Sequence, residues 1–174
     1  MMPLASEPCV YVRLEKESGA PEIILLLYVD DVVITGPFAK LISEEEQALS
    51  TRFKMSEWTD LQDLLGIRFT RQSGSLSLDQ AAYAETVLKR FDMSTAHPIS
   101  VPMECSTRLT ARLDKAPMEE IQRYQIAIGS LMYLSNCTRP DLTAAVNFLA
   151  RFSSNPATEH WGSVKRILRY LRGT

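Results

Sequence analysis

The stretch LLLYVDDVVI, residues 25–34, decides the fold of this chain. It consists of two apolar segments joined by a pair of adjacent carboxylates, Asp30 and Asp31. Short apolar segments rich in Val, Ile and Tyr are typical of buried strands, and Asp tolerates the backbone geometry of a tight turn. The stretch therefore predicts a β-hairpin with Asp30 and Asp31 at its turn.

On either side of this stretch, the sequence predicts hairpins that alternate with helices. Period-two apolar patterns and Gly-containing turns indicate strands, whereas apolar residues at three- and four-residue spacing indicate amphipathic helices. Leu41, Ile42, Ala48, Leu49 and Phe53 form such a helical stripe, which we expect to pack on the sheet. The predicted elements are strands at 9–14 and 22–28, a helix at 39–53, strands at 63–70 and 75–78, and a helix at 80–91.

The second half of the chain is predicted to be helical after a proline-containing connector. Residues 94–117 contain three prolines and scattered Ser and Thr, which favour an extended connection. Three helices are predicted beyond it, at 118–137, 141–152 and 156–171, with Thr138 and Asn155 as candidate caps before Pro140 and Pro156. The resulting organisation is 1–93, a connector at 94–117, and 118–174, in an α+β fold class.

Composition limits the classes of protein to which the chain can belong. The 174 residues are 45% hydrophobic, which is enough for a sizeable core and argues against intrinsic disorder. The net charge is −2, but residues 139–174 carry 6 basic and 2 acidic side chains, so positive charge is concentrated near the end. Three widely spaced cysteines, Cys9, Cys105 and Cys137, predict free thiols. Without a secretory signal or a long apolar segment, we expect an intracellular protein, cytoplasmic or nuclear, with no membrane association.

Asp30 and Asp31 are the candidate residues for chemistry. Two adjacent carboxylates between apolar strands need cations, hydrogen bonds or an exposed turn. Mg²⁺ prefers oxygen ligands and commonly binds one or two carboxylates together with substrate phosphates, so an Asp-Asp turn suits metal-dependent phosphoryl transfer. The alternative is a solvated hairpin turn with no ligand, and the dipeptide alone favours that alternative.

The last predicted helix carries a basic face. Lys165, Arg169 and Arg172 recur at helical spacing, with Arg166 beside them. These side chains are candidates for contacting the phosphates of a nucleic acid, and the alternative is an ordinary solvated face. His160 is expected to anchor the start of this helix, and Arg139 with Asp141 is expected to form an ion pair or cap, rather than either being catalytic.

The motif Tyr28-Val29-Asp30-Asp31 resembles the Tyr-x-Asp-Asp catalytic hairpin of the reverse transcriptases of copia-type LTR retrotransposons. The resemblance continues through nearly the whole chain, and the further segments that carry it are Arg52–Met55, Leu65-Gly66-Ile67, Ala127–Leu134, Thr138–Asp141 and His160–Thr174. In that family the last of these leads into an RNase H domain.

The resemblance implies a partial polymerase palm followed by a mainly helical thumb and connection region. It implies that Asp30 and Asp31 are catalytic and bind Mg²⁺, or Mn²⁺ in its place. Tyr28 and Val29 would lie near the primer terminus, and Leu65-Gly66-Ile67 would help to hold the primer. The implied partners of the full-length parent are an RNA or DNA template-primer and a dNTP.

The resemblance also shows what the sequence lacks. The family places a further metal-binding aspartate on an earlier palm strand, but no aspartate precedes Asp30 in this sequence. We therefore expect this chain alone to be inactive and to bind metal weakly. The alternatives are a non-catalytic nucleic-acid or protein-binding module, or a relic of a retroelement. Apolar surface that the remaining palm would cover is expected to cause self-association.

Overall fold

A computed structural model describes residues 1–15, 17–104 and 106–174, which form two compact units. The N-terminal unit is Met1–Leu61 and the C-terminal unit is Gln62–Thr174. The observed division therefore does not coincide with the predicted connector at 94–117, which lies inside the C-terminal unit. Assignment of palm, thumb and connection to particular ranges stays a prediction, whereas the α+β class is confirmed.

The N-terminal unit is a four-stranded antiparallel sheet with one helix. Its strands follow the chain order β1-β2-β3-β4, so that β4 is an edge strand, and both predicted hairpins are confirmed. The elements are β1 (Met2–Pro3), β2 (Val10–Leu14), β3 (Pro21–Tyr28), β4 (Asp31–Thr35) and α1 (Ala39–Arg52).

Strand register determines which face of this sheet is covered. Ile23 pairs with Arg13 of β2, and Leu25 lies two residues further along β3 on the same face. Both Ile23 and Leu25 are buried on this face. Arg13 donates to Glu45 of α1 at 2.7 Å, which places the helix on that face. The opposite face, which includes Ile24 and Leu26, retains exposed apolar surface.

Helix α1 has the predicted bounds within a residue, but only part of its predicted apolar stripe is sheltered. Leu41, Ile42 and Leu49 are half-buried, whereas Ala48 is exposed and Phe53 lies beyond the helix with 56% of its surface exposed. No residue of α1 is fully buried. The ion pair between Arg13 and Glu45 therefore helps apolar packing to hold the helix on the sheet.

The C-terminal unit begins with a three-stranded antiparallel sheet and a helix. Its first elements are β5 (Asp63–Leu64), β6 (Ile67–Gln72), β7 (Ser75–Asp79) and α2 (Ala81–Arg90). The predicted continuous strand at 63–70 is wrong, because Leu65 and Gly66 form a turn at which the chain reverses. The hairpin between β6 and β7 and the following helix agree with the prediction.

Three further helices complete this unit: α3 (Met118–Cys137), α4 (Thr143–Ala150), which follows a 3₁₀ turn at Pro140–Leu142, and α5 (Thr158–Gly173). The predicted caps are wrong. Thr138 ends α3 and donates to the side chain of Gln80, while Asn155 bonds the backbone of Ala116 at 2.8 Å. Both side chains therefore tie distant segments together instead of capping the next helix.

The C-terminal unit contains the main hydrophobic core, to which α2 to α5 all contribute. Its fully buried side chains include Tyr124, Leu131, Leu134, Leu149 and Ile167. Tyr124 donates to the carbonyl of Leu149 at 2.9 Å, and burial raises the pKa of its hydroxyl. Parts of the connector contribute too, since Met103 and Leu109 pack against the core.

Among the described residues, no helix has the length and apolar character required to cross a bilayer. Cys9 and Cys137 are free thiols, as expected, and Cys105 lies outside the described residues. The predicted intracellular location stays a prediction.

Candidate active site

The Asp30-Asp31 pair lies at a two-residue hairpin turn. Tyr28 pairs with Asp31 at the end of the β3–β4 ladder, so that Val29 and Asp30 alone connect the strands. Val29 has a φ of 56°, whereas Asp30 has no positive φ. A positive φ at only the first turn residue is typical of a type II′ turn, in which that position normally holds glycine. Because Val is β-branched, this conformation costs on the order of 1–3 kcal/mol.

The two carboxylates of the turn are available to a ligand. Asp30 and Asp31 are exposed, and neither forms an ion pair with any part of the chain that the structure describes. Val29 is 84% exposed and Tyr28 is 56% exposed, so the whole turn projects into solvent. Oxygen donors without a competing cation suit a hard divalent ion.

The turn supplies only part of a metal site. Within residues 1–15, 17–104 and 106–174, no group of three or more His, Cys, Asp or Glu residues is placed to hold a metal ion. Asp30 and Asp31 thus fit as carboxylate ligands of Mg²⁺, and the remaining ligands would have to be water, substrate phosphates or another polypeptide segment.

Gly36 sets the base of the same hairpin. A Cβ atom at this position would lie 2.5 Å from the carbonyl oxygen of Glu22, so the close approach of the two backbones requires glycine. The close pairing of β3 and β4 at this end of the hairpin depends on this contact. Sequence reasoning did not assign this role, and the only available signal was a glycine at the end of a strand.

The predicted primer-holding residues belong to the C-terminal unit. Leu65 and Gly66 have φ values of 52° and 74°, which is typical of a type I′ turn, and Ile67 begins β6. The carbonyl of Leu65 accepts a hydrogen bond from the hydroxyl of Tyr133 on α3. Leu65-Gly66-Ile67 is therefore a fixed turn and strand start, and its contact with a primer stays a prediction.

The basic residues of α5 mostly have partners within the chain. Arg166 forms an ion pair with Glu104 at 2.9 Å, Arg169 donates through Nε to the carbonyl of His97 at 2.8 Å, and Arg172 donates through Nε to the carbonyl of Ser94 at 2.7 Å. Lys165 is exposed. Three of the four cations thus attach the connector to α5, a role that neither sequence-based alternative included.

Two other candidates have the structural roles that the sequence predicted. His160 is fully buried, accepts the backbone N–H of Ala157 through Nδ1 at 2.9 Å and lies 2.9 Å through Nε2 from the carbonyl of Thr110. It therefore anchors the start of α5. Arg139 binds both carboxylate oxygens of Asp141, at 3.0 and 2.7 Å, and these hydrogen bonds lower the pKa of Asp141.

Comparison with known proteins identifies the family of the chain. The model of the reverse transcriptase (RNA-dependent DNA polymerase) family matches residues 3–105, which include the Asp30-Asp31 hairpin. The chain belongs to this reverse transcriptase family.

Curated relatives give the same result over most of the chain. A retrovirus-related Pol polyprotein from transposon TNT 1-94 of Nicotiana tabacum is 43% identical over 97% of this chain, and one from transposon RE2 of Arabidopsis thaliana is 40% identical over 91% of it. This chain spans 13% and 11% of their lengths. An uncharacterized mitochondrial protein of Arabidopsis thaliana is 33% identical over 86% of the chain and 61% of its own length. No solved structure matches the chain.

Proposed function

We propose that these residues serve in the RNA-directed DNA polymerase of a retroelement, with Asp30 and Asp31 as the metal-binding carboxylates of the hairpin. The observation that carries the proposal is the two-residue turn that exposes both aspartates without an ion-pair partner among the described residues. Membership of the reverse transcriptase family supports it. A bound Mg²⁺ would neutralise negative charge on the reacting phosphates.

Within this proposal, the chain's own residues position the metal ligands and the primer. The turn conformation at Val29 holds Asp30 at the tip of the hairpin, and Gly36 allows the close approach of the backbone to β3 at the base of the hairpin. Tyr28 and Val29 present exposed surface beside the carboxylates, which suits contact with a primer terminus. Leu65-Gly66-Ile67, at the turn between β5 and β6, would hold the primer.

We further propose that the 174-residue polypeptide does not polymerise by itself. Two-metal phosphoryl transfer needs cations held about 3.5–4 Å apart and a positioned triphosphate. Two adjacent aspartates provide only part of such a ligand set, and no group of three candidate ligands occurs in the described ranges. Enzymes lower barriers by roughly 8–23 kcal/mol, much of it through such positioning and electrostatics, so an incomplete site should give no measurable rate.

The test has two readouts on the 174-residue chain. Mn²⁺ is titrated in while backbone amide signals are recorded by NMR, and primer extension on an RNA template is assayed with Mg²⁺. We expect selective broadening around Asp30 and Asp31 with a Kd of about 1 mM or weaker, loss of that broadening in Asp30→Asn, and no extension.

Asp60→Asn is the matched control because it removes an exposed carboxylate outside the hairpin, and it should broaden like the wild type. An unbroadened hairpin would overturn the metal-binding proposal. Primer extension that Asp30→Asn abolishes would instead overturn the proposal that this polypeptide is inactive by itself.

The alternative function, a non-catalytic nucleic-acid-binding module, has less support. It is based on the missing earlier aspartate and on the basic face of α5, but in that face Arg166, Arg169 and Arg172 bind Glu104 and two connector carbonyls. Lys165 and Arg172 are the exposed cations of that predicted set, and Arg172 is bound to the connector through Nε. Phosphate contact by these residues would have to use the parts of the guanidinium groups that the connector does not occupy.

We also propose that the N-terminal unit associates with itself through apolar surface. Leu26, Leu27 and Val29 on the β3–β4 hairpin are 40%, 36% and 84% exposed. Strand β4 is also an edge in the described sheet, with backbone groups available for pairing. Both features favour association at high concentration.

A further inference from the structure

We propose that a cleft in the C-terminal unit binds an aliphatic carboxylate. The cleft has a volume of about 620 Å³, within the range of roughly 300–1,000 Å³ typical of ligand sites. It is formed by the end of β7, one side of α2 along its length, the residues that follow α3 and the end of α5. The proposal is independent of the polymerase function, since Asp30 and Asp31 belong to the N-terminal unit.

The wall of the cleft contains a buried carboxamide whose nitrogen lacks a partner among the described residues. Gln80 is only 4% exposed, and its Oε1 accepts the hydroxyl of Thr138 at 2.8 Å. Its Nε2 has no hydrogen-bond partner among the residues that the structure describes. An unsatisfied buried donor costs about 1–3 kcal/mol, so a ligand acceptor that reaches it would recover that cost.

One cation of the cleft has no carboxylate partner in the described chain. Arg139 is bound by Asp141, and Lys89 lies 3.8 Å from Glu85. Arg172 differs, because its one hydrogen bond in the described chain joins Nε to the carbonyl of Ser94.

Asp79 also lines the cleft and accepts the backbone N–H of Ala81 at 3.0 Å, but it forms no ion pair with the described residues and keeps its negative charge. The negative charge of Asp79 disfavours a dianion, whereas the guanidinium of Arg172, fixed at Nε, can bind a monoanion. Its planar terminal nitrogens match the two oxygens of a carboxylate.

The apolar part of the lining determines the body of the ligand. Leu78, Ala81, Ala84, Leu88 and Leu171 provide aliphatic surface. Among the described residues that line the cleft, none is aromatic, so a nucleobase would find no ring on which to stack. The chemistry therefore selects an aliphatic acid, either as a small molecule or as the carboxyl terminus of a peptide that ends in an aliphatic residue.

The experiment records methyl NMR signals of Leu88 and Leu171 in the whole chain during titration with octanoate, with 1-octanol as the uncharged comparison. We expect saturable shifts with octanoate at a Kd of about 1 mM, and binding of 1-octanol about tenfold weaker or worse. Arg172→Gln should weaken octanoate binding about tenfold, and Gln80→Leu should weaken it severalfold.

Arg169→Gln is the matched control. Arg169 lies on the same helix and makes the same kind of Nε hydrogen bond to a connector carbonyl, but it does not line the cleft. We expect this variant to bind octanoate like the wild type. Equal losses in Arg169→Gln and Arg172→Gln, or no loss in Arg172→Gln, would overturn the proposal, as would equal affinity for octanoate and 1-octanol.

A second arm distinguishes the two sources of the carboxylate. An acetylated Ala-Leu-Leu peptide is titrated with a free carboxyl terminus and with a carboxamide terminus. A free-acid peptide that binds more tightly than octanoate, and more tightly than its amide, assigns the cleft to peptide termini, whereas octanoate binding alone assigns it to small acids. The absence of saturable shifts with both acids would overturn the proposal.

Discussion

The two units of this chain differ in how much apolar surface they bury. In the N-terminal unit, the buried apolar side chains among the described residues are Val12, Ile23 and Leu25. The C-terminal unit instead has one continuous core made by four helices. The unit that carries the candidate catalytic carboxylates is thus the one with the smaller core, and its geometry must depend more on turn conformation and ion pairs than on packing.

The largest expected effect comes from removing core volume in each unit. Leu134 and Ile23 are both fully buried. Leu134→Ala should lower the free energy of unfolding of the C-terminal unit by about 3 kcal/mol. Ile23→Ala should lower that of the N-terminal unit by only about 2 kcal/mol, because fewer side chains surround Ile23 and they can relax into the cavity. Urea denaturation with hydrogen exchange would assign each loss to its unit.

Leu113→Ala is the control for this pair because Leu113 is fully exposed, and it should change stability by less than about 0.5 kcal/mol. A cost for Ile23→Ala that equals or exceeds the cost for Leu134→Ala would contradict the contrast between the units.

The next effect concerns association. Leu26→Lys places a charge on the uncovered face of the N-terminal sheet and should weaken self-association by about 2 kcal/mol, or roughly 30-fold, because the buried area of one leucine side chain is lost. Sedimentation velocity over a range of concentrations would measure the change. Leu76→Lys, at a leucine of the C-terminal unit that is 51% exposed, should have little effect. A wild-type chain that stays monomeric at every concentration would refute the association proposal.

A smaller effect of opposite sign is expected at the hairpin turn. Val29→Gly should raise the stability of the N-terminal unit by about 1 kcal/mol, because glycine adopts a φ of 56° without the steric cost that valine has. Thermal unfolding of the two proteins would measure the gain. Val33→Gly, within β4, should instead lose about 1 kcal/mol. Destabilisation by both changes would show that the turn is not strained.

The smallest effect is a pH dependence in the C-terminal unit. Hydrogen bonds from Arg139 lower the pKa of Asp141 below its ordinary value of 3.8. The ion pair therefore contributes stability above that pH and loses its contribution as the pH falls through the lowered pKa. Asp141→Asn should cost up to about 1 kcal/mol at about pH 6 and progressively less toward about pH 3.

Urea midpoints at several pH values would test this, with Asp63→Asn as the control. Asp63 is 3.8 Å from Arg68 in an exposed pair, so its loss should have almost no effect at any pH. A pH-independent cost for Asp141→Asn would show that shape, and not charge, makes the residue important.

Much of the fold could be predicted from residue spacing. Helix α3 was predicted with both bounds correct, and the hairpin around Asp30 was predicted from two apolar segments and a polar turn. The turn at Leu65 was missed because a leucine with positive φ is rare, although Gly66 is a turn residue within the segment 63–70. Local patterns identify elements, but the tertiary hydrogen bond from Tyr133 that holds this reversal has no local signature.

The candidate site was predictable only in part, for a related reason. Asp30 and Asp31 are adjacent in sequence, so a short motif revealed them together. The partners of Arg166, Arg169 and Arg172 lie more than sixty positions earlier in the chain, and spacing along one helix gives no information about them. The carboxamide of Gln80 was invisible for the same reason, since its partner Thr138 is 58 positions away.

The two-residue length of the turn at Val29 and Asp30 limits the kinds of sequence change that this hairpin can accommodate. Side chains alternate between the faces of a strand, so one inserted residue would either form a bulge or move the whole of β4 to the opposite face of the sheet. Val32 and Ile34, which now share a face with Leu25, would then exchange places with Val33. A substitution at the tip alters backbone strain or ligand chemistry at one residue. An insertion that moves β4 to the opposite register alters every side-chain contact of that strand.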